Sequence, residues 1–158
     1  MTVIANCGYF SIAPFMPIEW EKKGLEQGTT GYIFSIYSVA GITLSPFMGE
    51  IIKKTGRRNT IKRGLCTMAC AFFSFGMITY IDATSHQTLY IFASMLSRLC
   101  QGVGSVCIQV TCYSVATNFY PENKTKIIGT LDAMVGLGVI LGPTLGTLLF
   151  SIGGFRFM

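Results

Sequence analysis

Two charged residues stand inside apolar sequence, where charge is costly. Arg98 lies about ten residues into a segment running from about Thr88 towards Phe119, and Asp132 lies near the start of another from about Ile127 to Ile152. At 1.5 Å per residue these depths are roughly 15 Å and roughly 8 Å, so Arg98 would sit near the midplane of a bilayer. A lone arginine there must face a partner or a wet cavity. Ser94, Arg98, Gln101, Ser105, Gln109 and Cys112 recur at helical spacings and form one polar stripe, while Leu96, Leu99, Val103, Val106 and Val110 cover other faces. The stripe reads as a hydrogen-bond network between helices or as the lining of a cavity. An arginine and two glutamines exceed what packing needs, which favours the cavity. Asp132 is the one acid well inside an apolar span. Burial and a nearby arginine act on such a carboxyl in opposite directions. It reads either as a proton- or cation-binding group or as a helix-start charge partnered by nearby lysines.

A second constellation is built from small residues. Gly138, Gly142 and Gly146 are spaced by four, Pro143 lies among them, and Gly129 precedes them. The spacing makes a smooth strip for close helix contact, and Pro143 removes one backbone hydrogen bond. Asp132 is about 120° around the helix from Gly138, so the two can face different neighbours. No phosphate loop, serine elbow or metal cluster occurs. Gly102-Val103-Gly104 is too little for a nucleotide fingerprint and falls mid-helix. The six cysteines all lie in apolar segments and His86 is the single histidine, which predicts embedded thiols with no disulfide framework, metal or cofactor. The residues therefore point away from an enzyme.

The elements that must position these residues are spans. Charged residues are only 12% of the chain and hydrophobic residues 51%, with a mean hydropathy of +0.54. A soluble domain carries about 25% charge, so the lipid bilayer is the expected solvent and partner. Hydropathy predicts an all-α membrane protein whose single domain, 1–158, has five spans: about 2–18, 29–52, 64–81, 88–119 and 127–152. The fourth, at roughly 48 Å if helical throughout, exceeds the roughly 30 Å hydrocarbon core and should project beyond it.

Orientation follows from the bases. Lys53 to Arg63, KKTGRRNTIKR, holds six of the twelve basic residues and separates the second and third spans. With Lys124 and Lys126 it outweighs the opposite side, so residues 53–63 are expected to form a cytoplasmic loop of a multi-pass protein. The concentration of charge in a connector, without a basic helix face interleaved with aromatics, argues against nucleic acid as a partner.

Three stretches together resemble the major facilitator superfamily. Gly49-Glu50-Ile51-Ile52-Lys53-Lys54-Thr55-Gly56-Arg57-Arg58 is similar to its loop motif, G-x-L-a-D-r-x-G-r-r. Arg98-Leu99-Cys100-Gln101-Gly102-Val103-Gly104 is similar to its fourth-helix R-x-x-q-G-x-g, and Gly129 to Gly146 matches its fifth-helix antiporter motif, G-x8-G-x3-G-P-x2-G, at every specified position. Pro14 to Glu19 with Glu21 to Gly24, and Leu131-Asp132 to Pro143, resemble the vesicular amine and polyamine branch.

The resemblance implies secondary transport of small organic solutes by alternating access, in that branch proton-coupled antiport of organic cations across a plasma or vesicle membrane. Arg98 and Asp132 would then be the charged pair tied to coupling, with Gln101 and Gln109 lining the path. Gly49, Lys53, Gly56, Arg57 and Arg58, with Gly129, Gly138, Gly142, Pro143 and Gly146, would form the gating elements. Two departures stand out. Lys53 occupies the position of the motif's aspartate, and the chain stops before a sixth span. The resemblance thus implies a partial facilitator bundle, an N-terminal half that needs a C-terminal half or second chain to complete its cavity. The alternative is a non-transporting membrane subunit, or an inactive remnant, that only packs with partners.

Overall fold

A computed structural model of the chain describes residues 2–15, 17, 20, 27–78 and 87–153. The elements among them are helices: α1 (Thr2–Ile12), α2 (Gln27–Leu44), α3 (Met48–Thr55), α4 (Arg57–Ile78), α5 (Gln87–Phe119) and α6 (Lys124–Gly153), with 3-10 turns at Ser45–Phe47 and Pro121–Asn123. Four stretches, Gly28–Thr55, Arg57–Ile78, Gln87–Phe119 and Pro121–Ile152, are long and apolar enough to cross a membrane. The protein is an all-α, multi-pass membrane protein. The described part of the expected first span is the 11-residue helix α1 followed by turn at 13–15, short of the roughly 20 residues a crossing needs.

The second span is one path with a tightened turn. Pro46 has no N–H and its ring crowds the carbonyl four residues back, so the chain passes through 3-10 geometry before α3 resumes. The loop expected over 53–63 shrinks to a single residue. Lysine and arginine are good helix formers, and Lys53 and Lys54 close α3 where cations complement the helix dipole. Only Gly56 leaves the helix, at φ +82° and ψ 145°, a region nearly closed to residues with a Cβ. Its N–H donates to the Ile52 carbonyl at 2.9 Å. Its own carbonyl accepts from the Thr60 N–H at 3.0 Å and the Thr60 hydroxyl at 2.9 Å, which starts α4. The connector expected around 82–87 and Arg156 lie largely or wholly outside the described residues.

The chain divides into two compact units: residues 1–19 with 112–158, and residues 20–111. In the first, α1 packs on α6 through the glycine strip. A Cβ at Gly138 would meet the Val3 carbonyl at 2.9 Å and the Asn6 Cβ at 3.0 Å. At Gly142 it would meet the Phe10 Cβ at 2.6 Å and the Cys7 carbonyl at 3.1 Å. The fourfold spacing on α6 thus meets Val3, Asn6, Cys7 and Phe10 on one face of α1, and Gly146 is buried too. Phe15 and Phe150 stack with centroids 5.0 Å apart.

In the second unit α5 is approached from two sides. A Cβ at Gly102 would stand 2.6 Å from the Tyr37 carbonyl of α2, and one at Gly104 would stand 2.9 Å from the Gly64 carbonyl of α4. Residues two apart on a helix point about 200° apart. Gly102 and Gly104 therefore admit one neighbouring backbone each on opposite faces. Met48 and Ile52 of α3 bury against Val106 of α5, and the Ser97 hydroxyl donates to the Ala71 carbonyl of α4 at 2.8 Å.

Candidate functional site

The buried polar centre of the second unit is built on α5. Ser94, Arg98, Gln101 and Ser105 fall on one face because their spacing is four, three and four, and all four are buried. Arg98 is 0% exposed. Its Nη1 donates to the Gln101 Oε1 at 2.8 Å, a contact that the three-residue spacing makes local. The guanidinium lies over two rings, 4.9 Å from the Phe34 centroid on α2 and 4.7 Å from the Phe75 centroid on α4. A desolvated cation over an aromatic face gains on the order of 2 kcal/mol, which offsets part of the cost of holding the charge away from water.

Trp20 closes the same cluster. Its ring centroid is 5.9 Å from that of Phe34 and 6.4 Å from that of Phe75, and its Nε1 donates to the Tyr90 hydroxyl at 3.1 Å. Further along α5, the Tyr37 hydroxyl donates to the Ser105 Oγ at 2.8 Å. The Ser94 Oγ and the Gln101 Nε2 have no hydrogen-bond partner among the described residues. The face thus combines a fixed cation, an aromatic wall and polar atoms with unused hydrogen-bonding capacity. Such a face can orient a polar solute or ordered water in a low-dielectric setting.

The first unit holds the acid. Asp132 on α6 is exposed, and its Oδ1 accepts a hydrogen bond from the Tyr113 hydroxyl of α5. The glycine strip of the same helix turns towards α1, as the angular spacing of Asp132 and Gly138 led us to expect. Gln109 is half-buried on α5, as is Cys112. The structure brings Arg98 and Gln101 into contact. Arg98 belongs to one compact unit and Asp132 to the other, each with its own local hydrogen-bond partner. Gly49, Lys53, Arg57 and Arg58 are exposed around Gly56. Gly129 is open, with nothing near a Cβ placed there, and Pro143 lies within the continuous helix α6. Sequence reasoning passed over Tyr113, Phe34, Phe75 and Trp20. Only Tyr113 carried a local cue, a phenol near the polar end of a span. All six cysteines are free thiols, and no metal-ligand group occurs among the described residues.

Long apolar helices carrying a buried arginine and a two-sided glycine packing point define a polytopic membrane protein built for close helix contact. The Major Facilitator Superfamily model matches residues 1–158, and the chain belongs to that family, one of transporters and not of enzymes. It is 27% identical over 148 residues to the MFS-type transporter SLC18B1 of Rattus norvegicus, covering 94% of this chain and 32% of that protein. It is 28% identical over 152 residues to Multidrug resistance protein 2 of Bacillus subtilis, covering 95% and 35%, and 25% identical over 136 residues to the Quinolone resistance protein NorA of Staphylococcus aureus, covering 85% and 32%. The chain spans about a third of the length of these relatives. No solved structure matches it.

Proposed function

We propose that this chain is the N-terminal portion of a secondary active transporter that moves small organic cations across a membrane in exchange for protons. The observation that carries the reading is Asp132, an acid inside an apolar span of a facilitator-family chain, held by the Tyr113 hydroxyl. A carboxylate there can bind a proton or an organic cation alternately, which is the elementary requirement of exchange. Arg98 acts as a fixed charge tied to coupling, with Gln101 and Gln109 lining the path. The glycine strip and Pro143 form the sliding contact, and the Gly49 to Arg58 segment is the gating element on the cytoplasmic face. The cavity is completed by a C-terminal half, in the manner of two-repeat transporters. The resemblance to the MFS-type transporter SLC18B1 and to multidrug and quinolone resistance proteins supports a small organic solute as the cargo. Plasma or vesicle membranes suit such a carrier.

The test uses the full-length polypeptide reconstituted in vesicles with an imposed proton gradient. Asp132→Asn is expected to abolish gradient-driven uptake of an organic cation such as a polyamine. Tyr113→Phe is expected to keep uptake and shift the midpoint of its pH profile. Uptake and pH profile unchanged in Asp132→Asn would remove the assigned role.

A further inference from the structure

Between α4 and α5 runs an open groove of about 540 Å³. One wall is the α4 stripe Cys66, Cys70, Ser74 and Ile78; the other includes Leu96 and Cys100 of α5. Its floor is the contact in which the Ser97 hydroxyl donates to the Ala71 carbonyl. The lining carries no charge, so nothing in it would repel hydrocarbon. From Cys66 to Ile78 the groove follows twelve residues of helix, roughly 18 Å. Half of a roughly 30 Å hydrocarbon core is about 15 Å, so the groove has the depth of one leaflet. Its volume falls within the range of about 300–1,000 Å³ that holds one small apolar ligand.

The mouth is charged. Lys62 and Arg63 lie four and three residues before Cys66, one helical turn beyond the groove on the same side of α4, and both are exposed. Lys53, Lys54, Arg57 and Arg58, also exposed, stand just beyond them in sequence. A basic cluster at the end of a leaflet-deep apolar groove is complementary to a molecule with an anionic head and a hydrocarbon tail.

We propose that this groove binds one anionic phospholipid of the leaflet on the basic side. Lys62 and Arg63 hold its phosphate, and one acyl chain lies along Cys66, Cys70 and Ser74. A neutral lipid could enter the same groove but would leave the two bases unpaired. Two bases near a membrane surface correspond to a preference of roughly thirtyfold for the anionic lipid.

The experiment compares the intact polypeptide in vesicles of phosphatidylcholine alone and of phosphatidylcholine doped with phosphatidylserine. Native mass spectrometry is expected to show one retained phosphatidylserine, favoured roughly thirtyfold over phosphatidylcholine. The double variant Lys62→Gln, Arg63→Gln loses the preference, whereas Lys124→Gln, which removes the same kind of charge elsewhere, keeps it. In a variant whose only cysteine is Cys70, a bilayer-soluble maleimide reacts more slowly in the phosphatidylserine vesicles. Three results overturn the proposal. They are a preference that survives the double variant, a hydroxylamine-labile acyl mass on Cys66, and a Cys70 that stays unreactive in detergent and both vesicles because protein covers the groove. Both bases are exposed, so the double variant does not put the fold at risk.

Discussion

The α1–α6 contact makes a sharp prediction, because two glycines of one helix differ in what they touch across it. A Cβ at Gly142 would stand 2.6 Å from the Phe10 Cβ, 3.0 Å from the Phe10 carbonyl carbon and 3.1 Å from the Cys7 carbonyl oxygen, while one at Gly136 would meet nothing within 4 Å. Both are interior to α6; the helix-propensity gain of about 1 kcal/mol that Ala brings, and the strain that a Cβ at Gly142 adds against the ring of Pro143, belong to α6 itself and are common to the open and closed contact. What remains is overpacking against backbone and Cβ atoms, which a side-chain rotation cannot relieve, at about 1–3 kcal/mol. Opening of the α1–α6 contact should then be about 5- to 150-fold more frequent in Gly142→Ala than in Gly136→Ala. Cys7 is half-buried at this contact and reports on it directly. In a background with Cys7 as the only cysteine, its maleimide modification rate in detergent at low reagent should rise by that factor. Equal rates in the two variants would refute the argument that the glycine strip is a packing requirement.

Gly56→Ala forces a side chain into φ +82° with open space around it, so its cost is conformational, about 1–3 kcal/mol. Gly49→Ala, in ordinary helix with equally open space, should cause no loss, and thermal unfolding in detergent compares the two. Ser97→Ala deletes the buried bond to the Ala71 carbonyl and should cost about 0.6 kcal/mol, as interhelical hydrogen bonds in membranes do. The single variant Ser35→Ala, at an exposed serine that loses only an intrahelical bond to the Gly31 carbonyl, gives the reference.

The long elements were readable because lipid imposes a simple rule on composition, and the four longest helices fall close to the apolar segments. The rule fails at polar helix ends. Lys53 to Arg63 looks like a loop by hydropathy, yet its lysines and arginines favour helix, and one glycine makes the whole break. The polar stripe was legible from spacing alone, since Ser94, Arg98, Gln101 and Ser105 share a helix. Their aromatic neighbours were not, because Trp20, Phe34 and Phe75 come from three other segments and no periodicity links them to Arg98. Gly102 and Gly104 are too few for a nucleotide fingerprint, yet their spacing carries a packing signal. Their separation of two is wrong for a single helix contact but fits a helix wedged between two others.

The order of Arg98 and its neighbours along the chain bears on how the protein enters the membrane. Synthesis runs from the N-terminus, so Phe34 and Phe75, and Trp20 that packs on them, leave the ribosome before the arginine that the two phenylalanine rings face. An arginine at the centre of an inserting helix costs about 2.5–3.5 kcal/mol when it faces lipid alone. By the time Arg98 is presented, α2 and α4 can already offer two ring faces, and Gln101 follows three residues later on the same helix. The earlier spans thereby serve as a receptor for the later one. Moving α5 ahead of them by circular permutation would strand its charge in lipid during biogenesis, even though every contact of the finished structure were preserved.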